Sequence, residues 1–125
     1  MEYEPGVCNI GPAQQRRRLL LGVGSLLAAI VLVAGVLALD WSRLLLLLTV
    51  FPLYGTALGF LQYRARFCVG FAGIGVFDTG DGTHEIADSA AIEADRKRAV
   101  RLNAKAVAVG VVGAIVVYGV AVVGL

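Results

Sequence analysis

Three uninterrupted apolar stretches dominate the pattern of this chain. Leu19 to Leu39 runs for 21 residues without a charge, Leu44 to Tyr63 for 20, and Ala106 to Leu125 for 20. Each matches the ~20 residues that a helix rising 1.5 Å per residue needs to cross a hydrocarbon core of ~30 Å. The pattern predicts an all-α membrane protein with three transmembrane helices. A basic cluster followed by an apolar run is also the mark of a cleaved signal peptide, but the first run exceeds a secretory h-region of roughly 7 to 15 residues. It is read as a permanent span.

Between the spans the pattern changes in ways that predict their ends. Gly11-Pro12 closes a polar head, residues 1–11, and proline suits the first turn of a helix, where its missing N–H has no intrahelical partner. Asn9 or Gly11 would be the cap. Asp40-Trp41-Ser42-Arg43 reads as a tight turn, with Asp40 or Ser42 capping the second span and Trp41 at an interface. Pro52, inside that span, predicts a kink whose freed carbonyl is met by a neighbouring helix or by the hydroxyls of Thr49 or Thr56. Residues 12–66 thus form a helical hairpin.

The remaining polar region, 67–105, has three parts. Phe67 to Phe77 is apolar and glycine-rich but only 11 residues long, which suits an interfacial or re-entrant segment better than a crossing one. "DTGDGTHE" carries turn punctuation, and residues 67–88 are read as one Gly-rich and acidic loop. From Ser89 a helix is expected to run, without a stop signal, into the third span, so that 89–125 form one amphipathic-to-transmembrane helix.

Charge then orients the chain. Arg16, Arg17 and Arg18 precede the first span, and Arg64, Arg66, Arg96, Lys97, Arg98, Arg101 and Lys105 lie between the second and third. Only Arg43 of the 11 cations falls on the opposite side. By the positive-inside rule the amino end and the 67–88 loop are cytoplasmic, the carboxyl end is outside, and the chain is a multi-pass protein of a prokaryotic cytoplasmic membrane. With the cations accounted for in this way and no base-stacking aromatics among them, no nucleic-acid partner is expected; the bilayer is.

Candidate chemistry is sparse. No ionisable residue lies inside a span, which weighs against an ion-coupled transporter or a solute pore. Small residues recur at helix-contact spacing in Gly24-x-x-x-Ala28, Gly55-x-x-x-Gly59 and Ala106-x-x-x-Gly110-x-x-x-Ala114. They suit contacts among the chain's own helices, a homo-oligomer or a larger membrane protein. Cys8 and Cys68 flank the hairpin and would return to the same interface, where nearby arginines favour thiolate chemistry and His84 would supply a third metal ligand. Two cysteines and one histidine fall short of a closed zinc set, and no C-x-x-C occurs. "GFAGIG" has neither the Lys-Ser/Thr of a phosphate loop nor the Rossmann order, so its glycines are read as turn-formers. The loop acids around His84, Asp81, Glu85 and Asp88, are read as solvated.

"NIGPAQQRRRLLLG", Asn9 to Gly22, resembles the opening of the YgaP-type family of small inner-membrane transmembrane domains. Asn9, Gly11, Arg18 and Gly22 fall on matching positions, and Gln15 stands where arginine is common. Cys68, Phe71, Gly75 and Val76 follow the spacing with which that family closes its second helix, with Val69 in place of its proline. The likeness covers residues 8–77. The family's activity is unassigned; fusion of some members to rhodanese domains implies sulfur handling as a context for Cys8 and Cys68. Two functions follow as expectations: a non-enzymatic structural or accessory membrane component without a cofactor, or a membrane-bound thiol protein handling sulfur or metal through Cys8 and Cys68.

Overall fold

The computed structural model describes residues 3–124. Met1, Glu2 and Leu125, assigned above to the head and to the end of the third span, lie outside the described residues. The chain is mostly helical. α1 spans Pro12–Ala38, a 3-10 helix Arg43–Thr49 continues directly into α2, Val50–Ala65, and a short α3 covers Val69–Ile74. A two-residue hairpin pairs β1, Val76–Phe77, with β2, His84–Glu85, and α4 runs from Ser89 to Gly124. Three of these helices are long and apolar enough to cross a membrane: α1, the joined 3-10 helix with α2, and α4. Only 17 to 22% of their most apolar windows is buried inside the protein, so large side chains such as Val31, Phe51 and Val123 face outward. Apolar faces turned outward on every long helix are what a lipid solvent requires.

The ends of the elements follow local chemistry. Pro12 occupies the first turn of α1 with Gly11 as N-cap, and no side chain caps it. α1 and α2 both finish on a left-handed residue that is not glycine. Asp40 (φ 52°) lets the Trp41 N–H reach the Val36 carbonyl at 3.0 Å, and Arg66 (φ 53°) lets the Phe67 N–H reach the Gln62 carbonyl at 3.1 Å. These are Schellman closures, which satisfy carbonyls that the helix end leaves unpaired. Ser42, not Asp40, caps the next element, its Oγ accepting the Leu44 N–H at 3.3 Å. The chain meets Pro52 by winding the preceding turn as 3-10, so proline falls in the first turn of the α-helical stretch. The two threonines bond elsewhere than expected, Thr49 Oγ1 to the Leu46 carbonyl at 2.6 Å and Thr56 Oγ1 to the Pro52 carbonyl at 2.8 Å.

Helix packing rests on small residues. A Cβ built at Gly59 would lie 2.4 Å from the Gly22 nitrogen and 2.7 Å from the Arg18 carbonyl oxygen, so α1 and α2 touch backbone to backbone. A Cβ at Gly55 would meet the Ser25 hydroxyl at 2.5 Å, and one at Gly110 of α4 would meet the Val50 carbonyl of α2 at 2.9 Å. Such approach maximises van der Waals contact, which lipid tails otherwise match. Gly55, Gly59, Ala106, Gly110 and Ala114 therefore serve the chain's own bundle. Gly24 and Ala28 do not: nothing lies within 4 Å of a Cβ at Gly24, and Ala28 is exposed. On α1 the contacting residues are Gly22, Ser25 and Ala29.

The 36-residue α4 is about 54 Å long at 1.5 Å per residue. One face, Ala91, Asp95, Ala99, Leu102, Ala106, Gly110, Ala114 and Ala121, is buried from end to end. Asp88 caps it, its Oδ1 accepting the Ala90 N–H at 3.0 Å. The segment 67–77 is neither a flat surface strip nor a bare loop. Phe67 and Ala72 are fully buried against Ala99 and Leu102, and the chain then turns into the hairpin through Gly75 (φ 75°).

Gly59→Ala is expected to cost about 1–3 kcal/mol by forcing two backbones apart, whereas Gly24→Ala should leave stability unchanged or raise it. Thermal unfolding of both variants in the same detergent checks the contrast.

Candidate functional site

The polar residues of this chain converge at its basic end, where the head, the start of α1, the end of α2, α3 and the first half of α4 meet. Asn9 is fully buried at the centre. Its side-chain Oδ1 accepts the Cys68 N–H at 2.6 Å and its Nδ2 donates to the Cys68 carbonyl at 3.1 Å. Its backbone N–H donates to the Arg66 carbonyl at 3.2 Å, and its carbonyl accepts the Asp78 N–H at 2.9 Å. One residue thus ties the head to two distant loops. Beside it, Gly11 donates to the Asp78 carbonyl at 2.8 Å, and a Cβ there would lie 2.6 Å from the Thr79 oxygen, so glycine is required by contact.

Cys68 is the N-cap of α3. Its sulfur takes the place usually filled by a Ser or Thr hydroxyl, accepting the Phe71 N–H at 3.5 Å, and it also accepts Nη2 of Arg18 at 3.0 Å. The Arg18 guanidinium lies 5.5 Å from the Phe71 ring centroid. Gln62 completes the cap, its Oε1 accepting the Val69 N–H at 2.8 Å. Arg18 therefore takes part in the fold, while Arg16, Arg17, Arg64, Arg66, Arg96 and Lys97 are exposed.

A second buried polar group lies on α4. Asp95 is fully buried; the Tyr3 hydroxyl donates to Oδ2 at 2.7 Å and the Gly6 N–H to Oδ1 at 2.7 Å. One turn on, Arg98 donates to the Gly6 carbonyl at 2.9 Å and to the Val7 carbonyl, with its guanidinium 5.2 Å from the Phe67 ring centroid. The Tyr3 ring stacks on Phe77 at 4.5 Å, and the His84 ring lies 5.6 Å from Phe77, tilted against it. Burial, then the hydrogen bond and the negative charge of Asp95, push the Tyr3 hydroxyl well above the usual tyrosine range. Tyr3 is therefore a persistent donor. Among the described residues no buried side-chain nitrogen or oxygen lacks a partner.

The structure brings Cys8 and Cys68 into this same buried layer, each 5% exposed, with no disulfide between them. The Cys8 backbone forms a tight bridge with Glu4, and its neighbour Asn9 grips the Cys68 backbone. His84 is exposed on β2, and no group of three or more His, Cys, Asp or Glu that would hold a metal ion is gathered among the described residues. The candidate third ligand is thus not placed with the two thiols. Sequence reasoning missed Asp95 and Gln62 as buried partners. For Asp95 a signal existed: it falls on the 91, 95, 99, 102, 106 spacing of the buried face of α4.

No protein-family model matches the chain, and neither the curated proteins nor the solved structures contain a match. The positions on which the YgaP-type resemblance rests nevertheless have physical roles here. Asn9, Gly11, Arg18 and Cys68 belong to one hydrogen-bonded and packed cluster, Gly22 is the point of closest approach to α2, and Gly75 is the left-handed end of α3.

Because Tyr3 is held protonated in the folded state, its share of head stability is complete below its ordinary ionisation near pH ~10 and is lost as pH climbs through and beyond that value. Protease cleavage within residues 3–10 should accelerate above pH ~10 in the parent chain. Tyr3→Phe should be cleaved faster at pH 8 and show a smaller alkaline acceleration.

Proposed function

We propose that this chain is an accessory multi-pass protein of a prokaryotic cytoplasmic membrane, with its head on the cytoplasmic side, whose outer α1 face packs against a second copy or a larger membrane protein. The observation that carries the reading is how the small residues are divided. Gly22, Gly55, Gly59 and Gly110 are consumed by internal contacts, whereas Gly24, with nothing within 4 Å of a Cβ built there, and exposed Ala28 stand one helical turn apart on the outward side of α1. Within lipid, a small-residue face favours another helix over acyl chains. The polar groups of the head point the same way, since Asn9, Gln62 and Asp95 are bonded within the fold. The orientation rests on 10 of 11 cations lying at one end.

Cysteine introduced at Gly24 is expected to crosslink to another chain in native membranes, and cysteine at Ile30, on a different outward face, is not. Gly24→Ile with Ala28→Ile should reduce association about tenfold, because two bulky side chains hold the helix backbones apart. Cysteine at Trp41 should react with an impermeant maleimide added from outside. Absence of any adduct at Gly24 would remove the accessory role; labelling of position 41 only from inside would invert the topology.

The second reading, a membrane thiol protein, is favoured by one contact, the Arg18 guanidinium 3.0 Å from the Cys68 sulfur. In this reading a small oxidant joins Cys8 to Cys68 within one chain. If no oxidant or crosslinker of any length joins the two, the paired-thiol role falls.

A further inference from the structure

An apolar groove of about 650 Å³ opens outward between α2 and α4. Leu53, Phe60 and Leu61 line it from α2, Ala108 and Val109 from α4, and Lys105 stands at one end. α2 and α4 run antiparallel, so Lys105, the first lining residue of α4, lies beside the last lining residue of α2, at the basic end of the protein. The groove is apolar throughout its length and cationic only at that mouth.

Lys105 does not stand alone. Lys97, Arg101 and Lys105 follow one another at four-residue spacing and are all exposed, a line of cations along α4 that leads into the groove. Like charges one turn apart repel. Lys97 is relieved by Glu93 at 3.4 Å, but Arg101 and Lys105 have no acidic partner among the described residues. An ammonium at the edge of hydrocarbon must extend to water or meet an anion. Two unpaired cations above an apolar trough have the polarity of an anionic lipid in reverse.

We infer that the groove is a binding site for one anionic phospholipid, its phosphate held by Lys105 and Arg101 and one acyl chain laid along Leu53, Phe60 and Val109. Basic pockets between transmembrane helices recognise such headgroups. A zwitterionic lipid fits worse, because its own ammonium would sit near two cations. The lining mixes bulky Leu53, Phe60 and Leu61 with smaller Thr56, Ala57 and Ala108, so it is the cationic mouth, more than side-chain size, that favours an anionic lipid over a partner helix. The site depends on the membrane placement of the three long helices and not on the accessory role of α1.

The test is native mass spectrometry of the full chain released from nanodiscs of equal phosphatidylglycerol and phosphatidylcholine. One phosphatidylglycerol should remain bound in preference to phosphatidylcholine. Lys105→Gln with Arg101→Gln should lower that preference about thirtyfold, the effect expected of two cations at a lipid surface. Lys97→Gln should leave it unchanged. Ala108→Phe, which fills the trough and keeps both charges, should reduce retention of either lipid. Equal retention of the two lipids by the parent chain would overturn the site, as would a double variant that keeps its preference or a groove occupied by a second copy, seen as a dimer without bound lipid. Failure of membrane placement would be seen separately, as a chain that stays soluble without detergent. Failure of the accessory role would be seen at Gly24.

Discussion

The structure depends on one continuous buried face of α4. Ala91, Asp95, Ala99, Leu102, Ala106, Gly110, Ala114 and Ala121 form a line of mostly small side chains over 36 residues; α2, the 3-10 helix and α3 pack directly on it, and α1 joins the bundle chiefly through α2. Its first half carries the head, α3 and Phe67; its second half carries α2 and the 3-10 turn, closing with Val36, Leu46 and Ala121 packed together. A side chain larger than alanine at position 110 would press on the Val50 carbonyl and on Tyr54. Where the surrounding solvent is itself hydrocarbon, burial against lipid is worth little and contact distance decides the geometry. Alanine and glycine are the residues that allow that distance.

The same helix solves a different problem in its polar half. The head, α3 and the hairpin are short, and elements of two to six residues cannot satisfy their own backbone groups. Side chains do it for them. Asn9 serves the backbones of the 66–68 and 78 loops, Gln62 and Cys68 cap α3, and Asp95 receives the Gly6 N–H. A buried carboxylate is costly unless bonded on both oxygens, and Asp95 has Tyr3 on one and Gly6 on the other. Removing either donor would leave a carboxylate oxygen unpaired, which explains how so small a head is held against the helix without a disulfide.

How far the fold could be read from the residues follows from which forces were local. Span lengths, the start of α1 at Pro12 and the unbroken course of α4 are set by composition and by the presence or absence of breakers, and the structure has them where they were expected. Side selection was not local. Gly22 and Gly24 both present a small face on α1, and only the position of α2 decides that Gly22 packs inward and Gly24 outward. Asn9 was read as an alternative cap of α1, a place that Gly11 takes, and its role as the hub of the head was not legible, because its partners lie 57 to 69 residues away in sequence. The β1–β2 pairing has two residues per strand and no alternation to betray it. The two cysteines were expected to return to one interface; their burial, and the exposure of His84, follow from the packed head.

The cations show why a count of charges understates what they do. Arg18 and Arg98 are drawn into the fold, one on Cys68 and Phe71, the other on the Gly6 and Val7 carbonyls and Phe67. Arg66 carries a left-handed helix end. Arg16, Arg17, Arg64, Arg101 and Lys105 remain on the outside with no acidic partner among the described residues. A topology rule treats all of these alike, since any of them resists crossing the bilayer. Energetically they differ. The inward arginines hold the head closed and are paired with fixed acceptors, so their worth changes little with salt or lipid. The outward ones meet whatever the interface offers, and their interactions weaken with salt and strengthen with anionic lipid. On the lipid-site proposal made above, the head is held by contacts within the chain while the charged rim responds to membrane composition.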